Sequence, residues 1–203
     1  MLGLRYLMDN INFSQKDDKE LVADYLNGQE EVLPYLINKY LKPVYRFVFS
    51  MVLDESVADD ITQDVFIKVW KKIKSYNNKY SFKTWLFSIV RNTVIDYFRK
   101  KKDIAFSKFE NEVGDNFFVD TLVDSLPLPD EDFSRIEDAG FLAKTIEKLP
   151  LIYREVLILR YTEDLSMDEI SGVLKRPVET IKSQHRRGLL HLKEHLTRSI
   201  TSK

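Results

Sequence analysis

Asp59-Asp60-Ile61-Thr62-Gln63-Asp64-Val65-Phe66-Ile67-Lys68-Val69-Trp70-Lys71-Lys72-Ile73 repeats its apolar residues at helical spacing. Wound at roughly 100° per residue, the stretch puts Ile61, Val65, Phe66, Val69, Trp70 and Ile73 on one side, to be buried. Asp60, Gln63, Asp64, Ile67 and Lys71 fall on the opposite arc. A plain amphipathic surface helix accounts for that pattern. An acidic, amide-bearing outer face with one exposed Ile also suits docking to a basic partner helix. The same periodicity recurs along the chain, and glycine and proline are scarce, six of each. Helices are expected over 18–27, 30–53, 57–74, 82–100, 141–148, 153–161, 167–174 and 178–196, so the fold class is all-α. The first four would make one small domain and the later ones a second.

Charge separates these domains. From Lys68 to Lys102 eleven Lys/Arg face one acid, Asp96. From Asp103 to Asp138 eleven Asp/Glu face only Lys108 and Arg135, and from Lys175 to Arg198 seven Lys/Arg face Glu179 and Glu194. The formal net charge of −1 is a cancellation. A run of charge by itself commonly marks a solvated face; two basic patches on an acidic tether fit a protein that touches a phosphate polymer at two places. The acidic stretch contains Gly114 and Leu126-Pro127-Leu128-Pro129-Asp130, which cannot propagate a helix, so it reads as a linker. Its Phe117, Phe118, Leu122 and Leu126 suggest that it lies along a surface. The expected organisation is an extension over 1–19, a helical domain over 20–102, the acidic linker over 103–140 and a second helical domain over 141–203.

There is no cysteine, which excludes disulfides and cysteine–metal sites. The first thirteen residues are too interrupted by Gly3, Arg5, Asp9 and Asn10 for a signal sequence, and no run approaches the length of a membrane span. The expectation is a soluble cytoplasmic protein with no membrane insertion, no cofactor, no metal and no catalytic residue set.

In the helix over 82–100, Phe82, Trp85, Leu86, Ile89, Val90 and Tyr97 form a broad core face. Lys83, Thr84, Ser88, Arg91, Asn92 and Arg99 are the candidate nucleic-acid residues there, and Arg99-Lys100-Lys101-Lys102 closes the helix. The preceding loop, Ser75-Tyr76-Asn77-Asn78-Lys79-Tyr80-Ser81, is polar and aromatic. Amides and hydroxyls for bases, cations for phosphates and aromatics that stack on unpaired bases are what single-strand recognition uses. By their spacing alone, Trp85 and Phe82 read as core rather than as a stacking platform.

Near the C-terminus Ser166-x-x-Glu169 is a capping box. Lys175-Arg176-Pro177 then makes a turn, and a basic helix starts at Val178, which reads as helix-turn-helix. Val178, Ile181, His185, Leu192 and Leu196 face inward. Glu179, Lys182, Ser183, Arg186 and Arg187 face outward, within reach of a major groove. His191-Leu192-Lys193-Glu194-His195 matches a zinc-peptidase pattern. It lacks room for a downstream ligand, and packing already explains both histidines.

Together these residues resemble the sigma-70 family. Glu20-Leu21-Val22, Asn27-Gly28, Tyr40-Leu41-Lys42-Pro43-Val44-Tyr45-Arg46, the run from Ala58 to Trp70, Ser81-Phe82-Lys83-Thr84-Trp85-Leu86 and Arg91-Asn92 look like its region two. Leu149-Pro150, Arg154-Glu155-Val156-Leu157, Leu165-Ser166-Met167-Asp168-Glu169-Ile170 and Thr180-Ile181-Lys182-Ser183 look like its region four. Nothing resembles regions one or three, which points to the extracytoplasmic-function group. The resemblance implies a dissociable initiation subunit of bacterial RNA polymerase, not an enzyme. Asp60, Gln63 and Asp64 would dock on the clamp coiled coil of the largest subunit of the core enzyme. The region-two loop and final helix would recognise and melt the minus-ten element of promoter DNA, with Asn92 helping to hold a flipped base. Lys182, Ser183, Arg186 and Arg187 would read the minus-thirty-five element. An anti-sigma factor is a further implied partner.

Three positions depart from the family pattern. Lys175 stands where the turn usually has Gly, which implies either a mildly strained left-handed residue or a different turn. His185 replaces a usual Leu on the buried face, and Gln184 replaces a common Arg, which questions a phosphate contact there. A helix-turn-helix regulator with a helical sensor domain is the alternative. It explains 166–196 but leaves the Asp60/Gln63/Asp64 and Asn92/Arg99 faces without purpose.

Overall fold

The computed structural model describes residues 13–100 and 145–201, with side chains through 196. Helices α1 (Asp18–Leu26), α2 (Val32–Val52), α3 (Glu55–Lys72) and α4 (Phe82–Lys100) come first. Helices α5 (Leu151–Tyr161), α6 (Met167–Leu174) and α7 (Val178–Thr201) follow. No strand occurs among the described residues. The chain divides into two compact units between Val94 and Ile95, inside α4. The expected acidic linker, and residues 141–144 of the helix expected over 141–148, lie outside the described residues; 145 and 146 are helical and 147–148 form a turn.

In the first unit α1, α3 and α4 start where a side chain meets their free N–H groups, while α2 begins after Glu31 with no side-chain cap. Asp17 and Glu20 form a reciprocal capping box on α1 (2.8 and 3.0 Å), and Asp54 accepts from the Val57 N–H at 3.0 Å to open α3. Ser81 accepts from the Thr84 N–H at 3.1 Å at the start of α4. The core stripe of α2 is Leu33, Leu36, Tyr40, Val44, Phe47, Val48 and Met51, at helical spacing, and α2 packs on α3. Pro43 sits inside α2, where its missing N–H removes one backbone bond. An aromatic cluster ties the loop after α3 to the rest: Tyr76, Phe82 and Trp85 have ring centroids 5.5–5.8 Å apart, and Phe47 meets Phe87 edge-on at 5.6 Å. Residues 13–17, counted with the extension in the sequence, pack onto this unit. Phe13 is buried, with its ring 5.6 Å from Tyr35, and Lys16 pairs with Asp24 at 2.6 Å.

Two side chains are not where the periodicity put them. Trp70, expected in the core, is 58% exposed. The buried stripe of α3 is centred on Ala58, Ile61, Thr62, Val65 and Val69, and Trp70 lies more than a quarter-turn beyond it. Thr84, expected on the DNA-facing side of α4, is buried, with its hydroxyl 2.8 Å from Ser81 Oγ. The α4 core arc is wider than expected because Phe87, Val94 and Phe98 are buried as well.

The second unit is built around α5, whose residues Ile152 through Leu159 are all buried. Helix α7 crosses close to it. A Cβ on Gly188 would come within 3.2 Å of Leu157 and 3.3 Å of Tyr153, so glycine is what allows the approach. Leu149, Leu157, Leu189 and Leu192 form the core between them. The capping box at Ser166 and Glu169 is present (3.2 and 3.0 Å). Lys175 ends α6 in the left-handed region, φ 54° and ψ 44°, so of the two alternatives at this position the turn keeps the left-handed residue.

Candidate functional site

Helix α3 presents Asp60, Gln63 and Asp64 to solvent, as its outer arc predicted. Beside them runs an apolar groove between α2 and α3, lined by Leu33, Ile37, Leu41, Phe66, Ile67 and Trp70. Leu41, Ile67 and Trp70 are each about half exposed, at 46%, 48% and 58%. Three large apolar side chains exposed together, rimmed by carboxylates, are the signature of a protein-binding face rather than of scattered surface residues. A second depression, reached past Leu41, Thr62 and Gln63, extends the groove to Lys42, Tyr45 and Asp59. The Tyr45 hydroxyl titrates above its ordinary range, first through burial and then through the carboxylates of Asp59 and Glu55. Trp70 is the member of this surface that sequence reasoning assigned to the core.

On α4, Ser88, Asn92 and Arg99 share one solvent-facing stripe at spacings of four and seven residues. Ser88 and Asn92 are half-buried and Arg99 is exposed. Arg91 lies at the edge of the stripe with its Nε buried. Lys83 is half-buried and nearly opposite the stripe around the helix axis, so it does not join the group. Trp85 sits at the rim of the stripe, half-buried against Phe82 and Tyr76. The loop before α4 is anchored by Tyr76, which donates to the Tyr80 carbonyl at 2.8 Å, leaving Asn77, Asn78, Lys79 and Tyr80 exposed. The Tyr76 hydroxyl is shifted upward by burial and then by Asp18 and Asp17.

In the second unit the five outward residues of α7 occupy a single arc. Glu179 and Lys182 are exposed, while Ser183, Arg186 and Arg187 are half-buried. Lys182 Nζ lies 2.7 Å from Glu179 Oε1, and that bond raises the lysine's affinity for its proton. Gln184 is not on this arc. It is buried, and its Oε1 accepts from Arg176 Nη1 at 3.0 Å. His185 is buried too, with Nε2 3.0 Å from the Tyr161 hydroxyl and the two rings stacked at 5.6 Å. His191 stacks on Tyr153 at 5.2 Å, which accounts for one histidine of the zinc-like pattern by packing.

Comparison with known proteins matches this layout. The sigma-70 region 2 family fits residues 36–104, and the sigma-70 region 4 family fits residues 142–192. The ECF RNA polymerase sigma factor SigX of Bacillus subtilis is 31% identical over 82% of this chain and 84% of its own length. SigW of the same organism is 29% identical over 88% of this chain and 96% of its own. Among solved structures, the sigma factor RpoE in complex with the anti-sigma factor NepR, from Bartonella quintana, superposes with a TM-score of 0.59 at 25% identity. It covers 81% of this chain and 96% of that one. CnrH in complex with the cytosolic domain of CnrY shares the fold, with a TM-score of 0.62 at 21% identity. With both regions present in order and ECF relatives matched over most of their length, the chain belongs to the extracytoplasmic-function sigma factors of the sigma-70 family.

Proposed function

We propose that this protein is a dissociable specificity subunit of RNA polymerase, which directs the core enzyme to particular promoters and helps open them, and that it carries no catalytic centre of its own. The observation that carries the reading is the α3 surface: exposed Asp60, Gln63 and Asp64 beside an apolar groove, on the unit that matches region 2. A helix-turn-helix regulator acting alone would have no use for that surface, and the region 2 match weighs against it. In this reading the α3 face takes the clamp coiled coil of the largest polymerase subunit. The Ser88, Asn92 and Arg99 stripe, with Arg91 at its edge and the 75–81 loop next to it, takes the minus-ten strand. The α7 arc of Glu179, Lys182, Ser183, Arg186 and Arg187 enters the minus-thirty-five major groove, where duplex sequence is legible from base edges. Lys83, on the far side of α4 from the stripe, and Thr84, which is buried, drop out of the strand-contacting set.

An anti-sigma factor is a fitting partner, because a groove that binds polymerase can be blocked by another amphipathic helix; RpoE is solved with such a protein. Action on DNA with core polymerase puts the working protein in the cytoplasm, and no helix among the described residues is long and apolar enough to cross a membrane. Transcription in vitro with core polymerase over a fragmented genomic template tests the reading. Discrete start sites that depend on this chain are expected, and none appearing above core polymerase alone would refute it.

A further inference from the structure

Glu179 is out of place on its own surface. Lys182, Arg186 and Arg187 share its arc, and Lys175 precedes it in the turn, so the face as a whole attracts phosphate. A carboxylate there repels the same backbone. It sits in the first turn of α7, the part of a recognition helix that reaches base edges, and its side chain is 81% exposed. Its partner is Lys182, whose Nζ lies 2.7 Å from Oε1.

We propose that Glu179 and Lys182 act as one unit that reads a single C·G base pair, making Glu179 a specificity-determining residue of this chain. The inference rests on the assignment of α7 to duplex recognition. In the major groove cytosine offers the N4 amino donor, and its paired guanine offers the O6 and N7 acceptors. N4 and O6 are hydrogen-bonded to each other and so lie about 2.9 Å apart. An acceptor and a donor held 2.7 Å apart match that spacing, the carboxylate on N4 and the ammonium on O6 and N7. An A·T pair fits less well. Adenine places the N7 acceptor beside its donor, where it repels a carboxylate, and thymine adds a methyl group and offers the lysine one acceptor instead of two. The bland account is that Glu179 only favours the helix start and pairs with Lys182 at i,i+3.

The test is selection of duplexes randomised across the upstream promoter element, using the full-length chain assembled with core polymerase. The proteins compared are the native chain, Glu179→Ala, Glu179→Gln and Arg187→Ala. The native chain is expected to enrich C·G at one position within the element. Glu179→Ala should lower that preference by about tenfold or more while the other positions keep theirs. Glu179→Gln should move the preference toward A·T, because an amide pairs with adenine N6 and N7. The proposal is overturned if Glu179→Ala leaves every position unchanged while Arg187→Ala alters one; α7 would then read DNA without Glu179. Loss of preference at all positions in Glu179→Ala would also overturn it. If the native chain shows no upstream preference and Arg187→Ala changes nothing, the assignment of α7 to duplex recognition fails, and this inference fails with it.

Discussion

Arg176 and Glu155 form a buried ion pair, Nη2 to Oε1 2.7 Å, with side chains 11% and 3% exposed. The pair joins the turn before α7 to the central helix α5. Arg176 also donates to Gln184 on α7 at 3.0 Å, and its carbonyl accepts from Ser171 on α6 at 2.6 Å. One residue of the turn therefore touches α5, α6 and α7 and fixes how α7 is presented.

Removing one partner of such a pair strands a charge in a dry site. Arg176→Met is expected to destabilise the second unit by about 3–5 kcal/mol, and Arg176→Met with Glu155→Met should recover most of that loss. Chemical denaturation of the full chain, followed by a probe in the second unit, checks both. A double variant no more stable than the single one would show that the pair is not what holds the turn.

Lys175 should be improvable. A left-handed conformation costs a residue with a side chain about 1–2 kcal/mol, and glycine returns about 0.5–1 kcal/mol of that as extra freedom when unfolded. Lys175→Gly is therefore expected to stabilise the second unit by about 0.5–1 kcal/mol, seen as a higher melting temperature. Lys175→Ala should give no such gain, which separates backbone relief from loss of the charge.

The α3 face predicts a loss of partner without a loss of fold. Asp60→Lys combined with Asp64→Lys changes two exposed side chains, so stability should shift by no more than about 0.5 kcal/mol. Capture of core polymerase by the tagged chain should be abolished. Retained capture would remove these carboxylates from the docking surface.

The two DNA-facing helices should divide their labour. Asn92→Ala is expected to impair strand opening while closed-complex formation survives, and a template with a pre-melted bubble should rescue it. Arg187→Ala should weaken initial binding by about 1–3 kcal/mol if its contact is bidentate to guanine. Lower salt should recover part of that affinity and a bubble should not. Equal rescue of both variants by the bubble would refute the division.

Much of this protein was legible in its sequence because helices announce themselves locally. Periodicity located seven helices to within a few residues, and α4 and α6 at their stated ends, since spacing, caps and breakers all act within one or two turns. The capping box at Ser166, the inward His185 and the outward arcs of α3 and α7 follow from the same local rules. The width of a buried arc does not. Trp70 became part of an exposed groove and Thr84 part of the core because neighbouring helices, not the helix itself, decide how far burial extends around it. The Arg176–Glu155–Gln184 link was likewise invisible, because it joins residues up to 29 positions apart. Its three members read in sequence as unrelated polar residues. Only close packing of α5, α6 and α7 brings them together, away from water, where an unpartnered charge could not remain.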